Sequence, residues 1–173
     1  MPETNPSQLV EDGKRAFEKK RFDQAANLFR QAAEAYIQTN DHVSAAEAQN
    51  NLSVALLQAG KPQEALTAAL GTDEVFAGID DLKRQGMAFG NQAAALEALD
   101  RYEEAIALYE RSAEIFDRAG EGDLRAMVKK SAAALQLRKG KITDSALKMI
   151  GALEAKEKPS FFERILKFFL RTK

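Results

Sequence analysis

The chain has 173 residues, of which 45% are hydrophobic and 29% are charged, so it can bury a core and does not have the composition of a disordered protein. Its 25 Lys and Arg residues nearly balance its 26 Asp and Glu residues, which disfavours a nucleic-acid partner, and the absence of Cys excludes disulfides and thiolate metal sites. Because the sequence shows no secretory signal and no apolar run of membrane-spanning length, we expect a cytoplasmic protein.

The sequence repeats itself with a period of forty residues. Four stretches align without gaps at this spacing: KRFDQAANLF from Lys20, GKPQEALTAA from Gly60, DRYEEAIALY from Asp100 and GKITDSALKM from Gly140. Small residues recur in the same register, at Gly13, Ser53, Ala93 and Ala133. Large aromatic residues recur as well, at Tyr36, Phe76 and Phe116. Such self-similarity is typical of repeat architectures, in which each repeat is one structural unit that stacks on its neighbours.

The apolar residues within each repeat have helical spacing. Ile106, Tyr109, Ala113 and Phe116, for example, follow one another at intervals of three or four residues, and no stretch shows the alternation typical of strands. After a flexible N-terminus at residues 1–6, the pattern predicts four helical hairpins over residues 7–40, 41–80, 81–120 and 121–158. We expect a turn inside the second hairpin at Gly60 and one inside the fourth at Gly140.

The positions at which the hairpins are expected to meet carry residues that stop one helix and start the next. They lie near residues 40–41, 80–81 and 120–122, where the sequence has Asn, Asp and Gly. Asn and Asp side chains can accept hydrogen bonds from the free N–H groups of a first helical turn, and Gly tolerates the left-handed conformation past a helix end.

The register of small and aromatic residues resembles the tetratricopeptide repeat. In the first repeat the pattern is formed by Gly13, Lys20, Ala25, Phe29 and Ala32. In the third repeat it is formed by Ala93, Asp100, Ala105, Tyr109 and Ser112. The resemblance implies an all-α, right-handed α-solenoid of four helical hairpins that binds other proteins.

The period differs from the usual 34 residues of that family. The Pro that usually closes the second helix is replaced in all four repeats, by Ile37, Ala77, Asp117 and Glu157. Without that Pro the second helix can continue for another turn, which explains the longer period. In its spacing the chain is similar to the long-repeat variety found in soluble attachment proteins and kinesin light chains.

The segment at residues 159–173 predicts an amphipathic helix that caps the solenoid. Ser160 and Glu163 form a capping box at its start. Its apolar residues cover an arc of roughly 200°, wider than one core contact needs: Phe161, Phe162, Ile165, Leu166, Phe168 and Phe169. The Phe rings alone present roughly 600–1,000 Å², more than a monomer in water usually exposes. We expect the helix to dock on the fourth hairpin, to bind a membrane surface or a hydrophobic partner, or to self-associate.

Reactive side chains do not cluster in the sequence. His42 is the only His, so neither a His-based metal site nor a Ser-His-Asp relay can be built. The pairs Gly60-Lys61 and Gly140-Lys141 lack the following Ser or Thr and the earlier Gly of a phosphate-binding loop. We therefore predict no catalytic residue, no metal site and no cofactor, and we do not expect an enzyme.

The resemblance implies that the first helices of successive repeats line a concave groove. By register, eight residues face it: Lys14, Phe17, Asn50, Asn51, Val54, Asn91, Lys130 and Arg138. Asn50 and Asn51 are adjacent in the middle of a predicted helix, although Asn is a poor helix former. Binding to a partner would explain why both are present. We predict a scaffold or adaptor that binds a peptide or a helical segment of another protein. The alternatives are a peripheral membrane or assembly factor targeted by its C-terminal helix, and a homo-oligomeric structural subunit.

Overall fold

The computed structural model describes residues 5–154, which form helices and the turns between them. The helices follow the order α1 (Pro6–Glu18), α2 (Phe22–Gln38), α3 (His42–Gln58), α4 (Pro62–Ala69), α5 (Thr72–Ala77), α6 (Leu82–Ala98), α7 (Tyr102–Arg118) and α8 (Gly122–Glu154). No strand occurs within residues 5–154, so the predicted all-α fold is confirmed. The chain divides into two compact units, residues 1–133 and 134–173, and the division lies inside α8.

The first unit is built from helices that pack in the order of the sequence. α1 packs on α2, α3 packs on α4 and α5, and α6 packs on α7, which makes three hairpins. Neighbouring hairpins join through α2 with α3, and through α3, α4 and α5 with α6. This consecutive packing is the arrangement of an α-solenoid, and the first unit buries its apolar residues between successive helices.

The turns between the helices share one backbone geometry. A left-handed residue occurs every twenty positions, at Lys20, Asn40, Gly60, Asp80, Asp100 and Gly120. The N–H of the next residue donates to a carbonyl five residues back, as from Asp81 to Phe76 at 3.0 Å. This pattern is the Schellman motif, which satisfies carbonyls at the end of a helix. The next helix can start at once, because Asp41 and Asp81 accept from backbone N–H groups of α3 and α6.

Small residues sit against aromatic rings where two helices of a hairpin cross. A Cβ atom on Gly13 of α1 would lie 2.7 Å from the Phe29 ring of α2, and one on Gly86 of α6 would lie 2.7 Å from the Phe116 ring of α7. Such distances are too short for any side chain, so glycine is required there by packing. Gly13, which the repeat pattern identified, therefore lets α1 and α2 approach closely, and Gly86, which the pattern did not identify, does the same for α6 and α7.

Gly86 and Gly90 of α6 provide a test, because we expect replacing them by Ala to have opposite effects. Ala gains about 1 kcal/mol over Gly in helix propensity, whereas overpacking costs about 1–3 kcal/mol. A Cβ on Gly90 would find its nearest neighbour at 3.6 Å, which is an ordinary contact. Gly90→Ala should stabilise the fold and Gly86→Ala should destabilise it by about 1 kcal/mol in urea denaturation. A stabilising Gly86→Ala would contradict the packing described here.

The second helix of the second hairpin is broken, which the sequence analysis did not predict. α4 ends at Ala69, Leu70 is extended, and Gly71 has φ 79° before α5 begins. Gly71 stands where the other hairpins have the helix formers Gln31 and Arg111. The chain can therefore leave and re-enter the helix at this point.

Two buried side-chain amides, Asn50 of α3 and Gln92 of α6, form hydrogen bonds that stabilise the break between α4 and α5. The Thr72 hydroxyl is 3.0 Å from the Asn50 Oδ1 of α3 and 2.8 Å from the Ala69 carbonyl, and its single proton can be donated to either. Gln92 of α6 donates from Nε2 to the Ala69 carbonyl at 3.2 Å and to the Asp73 Oδ1 at 2.7 Å. The carbonyl that loses its helical partner is thus satisfied inside the protein.

The predicted turn at Gly140 is wrong, and with it the hairpin expected over residues 121–158. α8 runs through Gly140 as one helix of 33 residues. No Asn or Asp cap follows Gly140, and no Pro stands where Pro62 opens α4. An isolated Gly costs a helix only about 1 kcal/mol, and the Ala, Leu and Lys residues around it favour the helix.

Two other predictions concern the ends of the chain. The boundary of the flexible N-terminus at residue 6 is wrong, because Pro6 already belongs to α1 and the Asn5 side chain caps that helix. The C-terminal helix predicted over residues 159–173 lies outside the described residues. Within the described part, no helix is both long enough and apolar enough to cross a membrane.

Candidate functional site

A cavity of about 240 Å³ lies where α1, α2 and α3 meet, and we call it the α1–α3 pocket. Its lining consists of Lys14, Phe17, Glu18, Phe29, Asn51 and Val54. Four of the eight predicted groove residues are therefore brought together in one place, although they come from two helices separated by α2. Asn51 and Val54 lie one turn apart on α3, as do Lys14 and Phe17 on α1.

The apolar part of the pocket is set by the packing beneath it. Phe29 is buried because Gly13 leaves room for its ring against α1. Phe17 is half-buried, and its ring meets that of Phe22 edge to face at a centroid distance of 5.3 Å. Val54, also half-buried, completes the apolar surface from α3. The pocket therefore has an apolar base formed by these three side chains and a polar rim.

The rim carries two charged groups and one amide. Lys14 donates to the Glu11 carboxylate at 2.8 Å, and this hydrogen bond raises the pKa of Lys14, so its ammonium stays charged at neutral pH. Glu18 is exposed and is followed by Lys19, Lys20 and Arg21, which are exposed as well. The excess of positive charge therefore lies in the turn that follows α1, next to the pocket, whereas Lys14 of the lining is paired with Glu11.

Asn50 does not face a groove, which corrects the prediction. Its side chain accepts from Thr72 and its residue surface is only 9% exposed. Adjacent helical residues point about 100° apart, and here Asn51 reaches the pocket while Asn50 is directed towards Thr72 of α5. The two adjacent Asn residues in the middle of α3 therefore have different roles. Asn51 lines the pocket, and Asn50 stabilises the break between α4 and α5.

The remaining predicted groove residues are not part of the pocket. Asn91 is half-buried on α6, forty residues after Asn51 and in the same register. Lys130 is exposed on α8 within the first unit. Arg138 is exposed on the part of α8 that belongs to the second unit.

Sequence reasoning missed two residues of the pocket. Glu18 lies one helical turn after Lys14 on α1, and this spacing could have identified it. Phe29 was recognised only as a position of the repeat pattern, and its ring also lines the cavity. No pattern in the sequence indicated the hydrogen bonds of Gln92.

The described residues offer no arrangement suited to metal binding. No group of three or more His, Cys, Asp or Glu residues within residues 5–154 could hold a metal ion. His42 lies exposed at the first position of α3.

Comparison with protein families gives one match. The model for the tetratricopeptide repeat matches residues 16–69, which contain α2, α3, α4 and the end of α1. The matched range includes every residue of the α1–α3 pocket except Lys14. No curated protein matches the chain.

Proposed function

Because this chain is a tetratricopeptide repeat protein, we propose that it is a scaffold or adaptor that binds a segment of another protein in the α1–α3 pocket. Tetratricopeptide repeats generally mediate protein–protein interactions, and proteins built from them are typically non-enzymatic scaffolds. The observation that carries the proposal is the meeting of Lys14, Phe17, Asn51 and Val54 around one cavity.

The size of the pocket limits what it can accept. At about 240 Å³ it is smaller than the 300–1,000 Å³ of a usual small-molecule site, so it suits a single large side chain of a bound segment. Phe17, Phe29 and Val54 favour an apolar anchor such as Phe, Leu or Met. The Asn51 amide has both donors and an acceptor, which can pair with the backbone beside that anchor.

The charges around the pocket favour a particular kind of segment. Lys14 stands at the rim, and Lys19, Lys20 and Arg21 continue from α1 into the turn. Glu18, and Glu11 through its ion pair with Lys14, offset two of these four positive charges. We therefore expect the bound segment to carry Asp or Glu next to its apolar anchor, because complementary charge speeds association and excludes wrong partners.

The substitution Val54→Asp tests this function. A carboxylate in the apolar part of the pocket would lose its hydration when a partner docks, so we expect about a tenfold or greater loss of partner binding. Quantitative mass spectrometry of proteins captured from cells by the wild type and the variant measures the effect. The matched control is Ala107→Asp, which places the same charge on the exposed face of α7. Equal capture of every specific partner by Val54→Asp would contradict the proposal.

A further inference from the structure

A second cavity, of about 410 Å³, lies between α2 and α4 with α3 as its floor. We call it the α2–α4 groove. Its floor is formed by Leu52 and Leu56 of α3, and its walls include Arg30, Glu34 and Ile37 of α2 and Glu64 of α4. It shares no residue with the α1–α3 pocket, so an occupant of one need not exclude an occupant of the other.

The α2–α4 groove is suited to an apolar segment. Arg30, Glu34 and Ile37 lie on one face of α2 at intervals of three or four residues, which makes a continuous wall along the helix. Ile37 is 47% exposed, a large fraction for a β-branched aliphatic side chain beside an apolar floor. A helix laid in such a groove would place its own apolar side chains at the same spacing.

The walls of the groove carry a net negative charge. Arg30 forms an ion pair with Glu64 at 3.6 Å, whereas Glu34, one helical turn after Arg30, forms no ion pair within the described part of the chain. The carboxylate of Glu34 therefore stands next to the apolar floor of the groove without an ion-pair partner. A segment that combines large apolar residues with Lys or Arg would complement it.

We propose that the C-terminal segment of a second copy of this chain, residues 159–173, binds in the α2–α4 groove. The segment combines the two properties that the groove requires. It holds four Phe, and it also holds basic residues between and after them, at Arg164, Lys167, Arg171 and Lys173.

The area to be covered is that of a stable dimer. The apolar arc of the segment is wider than one contact, so about half of its Phe surface, roughly 300–500 Å², can face one groove. Two exchanged segments and the equal area of groove that they cover together bury roughly 1,200–2,000 Å². Specific protein interfaces bury about the same total area. Reciprocal exchange gives closed twofold symmetry, in which each copy supplies one groove and one segment. Docking on the fourth hairpin was one of the three alternatives for the segment, but within residues 121–154 no such hairpin forms, because α8 continues through Gly140.

The experiment measures the mass of the full-length chain in solution by sedimentation equilibrium over a wide range of concentrations. We expect a dimer of twice the 19.0 kDa chain mass. Glu34→Lys should weaken the dimer about tenfold, since it turns an attraction into a repulsion at both grooves. Glu114→Lys is the matched control, because it makes the same change on an exposed residue in the same register of α7. It should leave the dimer intact.

A charge exchange makes the test specific for the segment. Arg164→Glu/Lys167→Glu should also weaken the dimer, and combining it with Glu34→Lys should restore part of the lost affinity. Circular dichroism melting would confirm that each variant is folded. The proposal is overturned by a chain that is monomeric throughout, by a dimer that Glu34→Lys leaves unchanged, or by a monomer that floats with anionic lipid vesicles through the segment. Val54→Asp should still dimerise, so failure of this inference is distinguishable from failure of the proposed function.

Discussion

Replacing Phe76 by Ala is expected to lower the free energy of unfolding by about 3–5 kcal/mol, the usual cost of removing a fully buried Phe. Phe76 is 0% exposed and packs against Ala46 of α3 and Ala88 of α6. The Arg84 guanidinium lies 5.1 Å from the centre of its ring and adds a cation–π contact. Phe76 is a residue of α5 and contacts α3 and α6, so its removal leaves a cavity between three helices. These helices cannot all move inward to fill that cavity. Urea denaturation followed by circular dichroism measures the change.

Phe22→Ala serves as the control for Phe76→Ala. Phe22 is only half-buried at the start of α2, so its replacement should cost clearly less than that of Phe76. The repeat register predicted Phe76 as a large aromatic position, and the structure makes it the residue that joins the second hairpin to the third. A loss below about 1 kcal/mol for Phe76→Ala would show that the hairpins are not held together there.

Replacing Gln92 by Leu is expected to cost about 1–3 kcal/mol, because two acceptors, the Ala69 carbonyl and the Asp73 carboxylate, lose the buried Gln92 amide as a donor. The Ala69 carbonyl would keep only the Thr72 hydroxyl, and the Asp73 carboxylate would lose its 2.7 Å hydrogen bond. Since α5 depends on these contacts, its amide hydrogens should exchange faster while those of α7 stay protected. Denaturation and hydrogen exchange together measure the effect.

Gln85→Leu is the matched control on the same helix. Gln85 is half-buried, and its side chain forms no hydrogen bond within residues 5–154, so the change should alter stability by less than about 0.5 kcal/mol. Asn50→Leu removes the other brace, and the double variant Asn50→Leu/Gln92→Leu should lose less than the sum of the two single losses, because both amides hold one break. Strict additivity would mean that the two amides act independently.

The positions of most helix ends could be predicted from the sequence. Asn40, Asp80 and Gly120 favour the left-handed conformation, and Asp41 and Asp81 supply the caps that start the next helices. These signals are local, so no tertiary contact is needed to recognise them. The same reasoning failed at Gly140, where Gly occurs without a cap behind it and α8 continues.

The candidate site could be predicted only in part. The repeat register placed Lys14, Phe17, Asn51 and Val54 on one surface, and the pocket unites them. Asn50 was misplaced because its burial depends on Thr72, a residue of α5, two helices further along the chain. The α2–α4 groove could not be anticipated at all, since its volume depends on how two helices separated by α3 lie beside each other.

The sequence by itself determined that the described part of the chain is all helical, where most of its helices begin and end, and at which repeat positions small and aromatic residues recur. These properties follow from backbone preferences and from a spacing that repeats along the chain. Only the tertiary structure decided that the second helix of the second hairpin breaks and which Asn is buried. Both depend on hydrogen bonds between residues about twenty positions apart, such as Asn50 with Thr72 and Gln92 with Asp73, which no local pattern records.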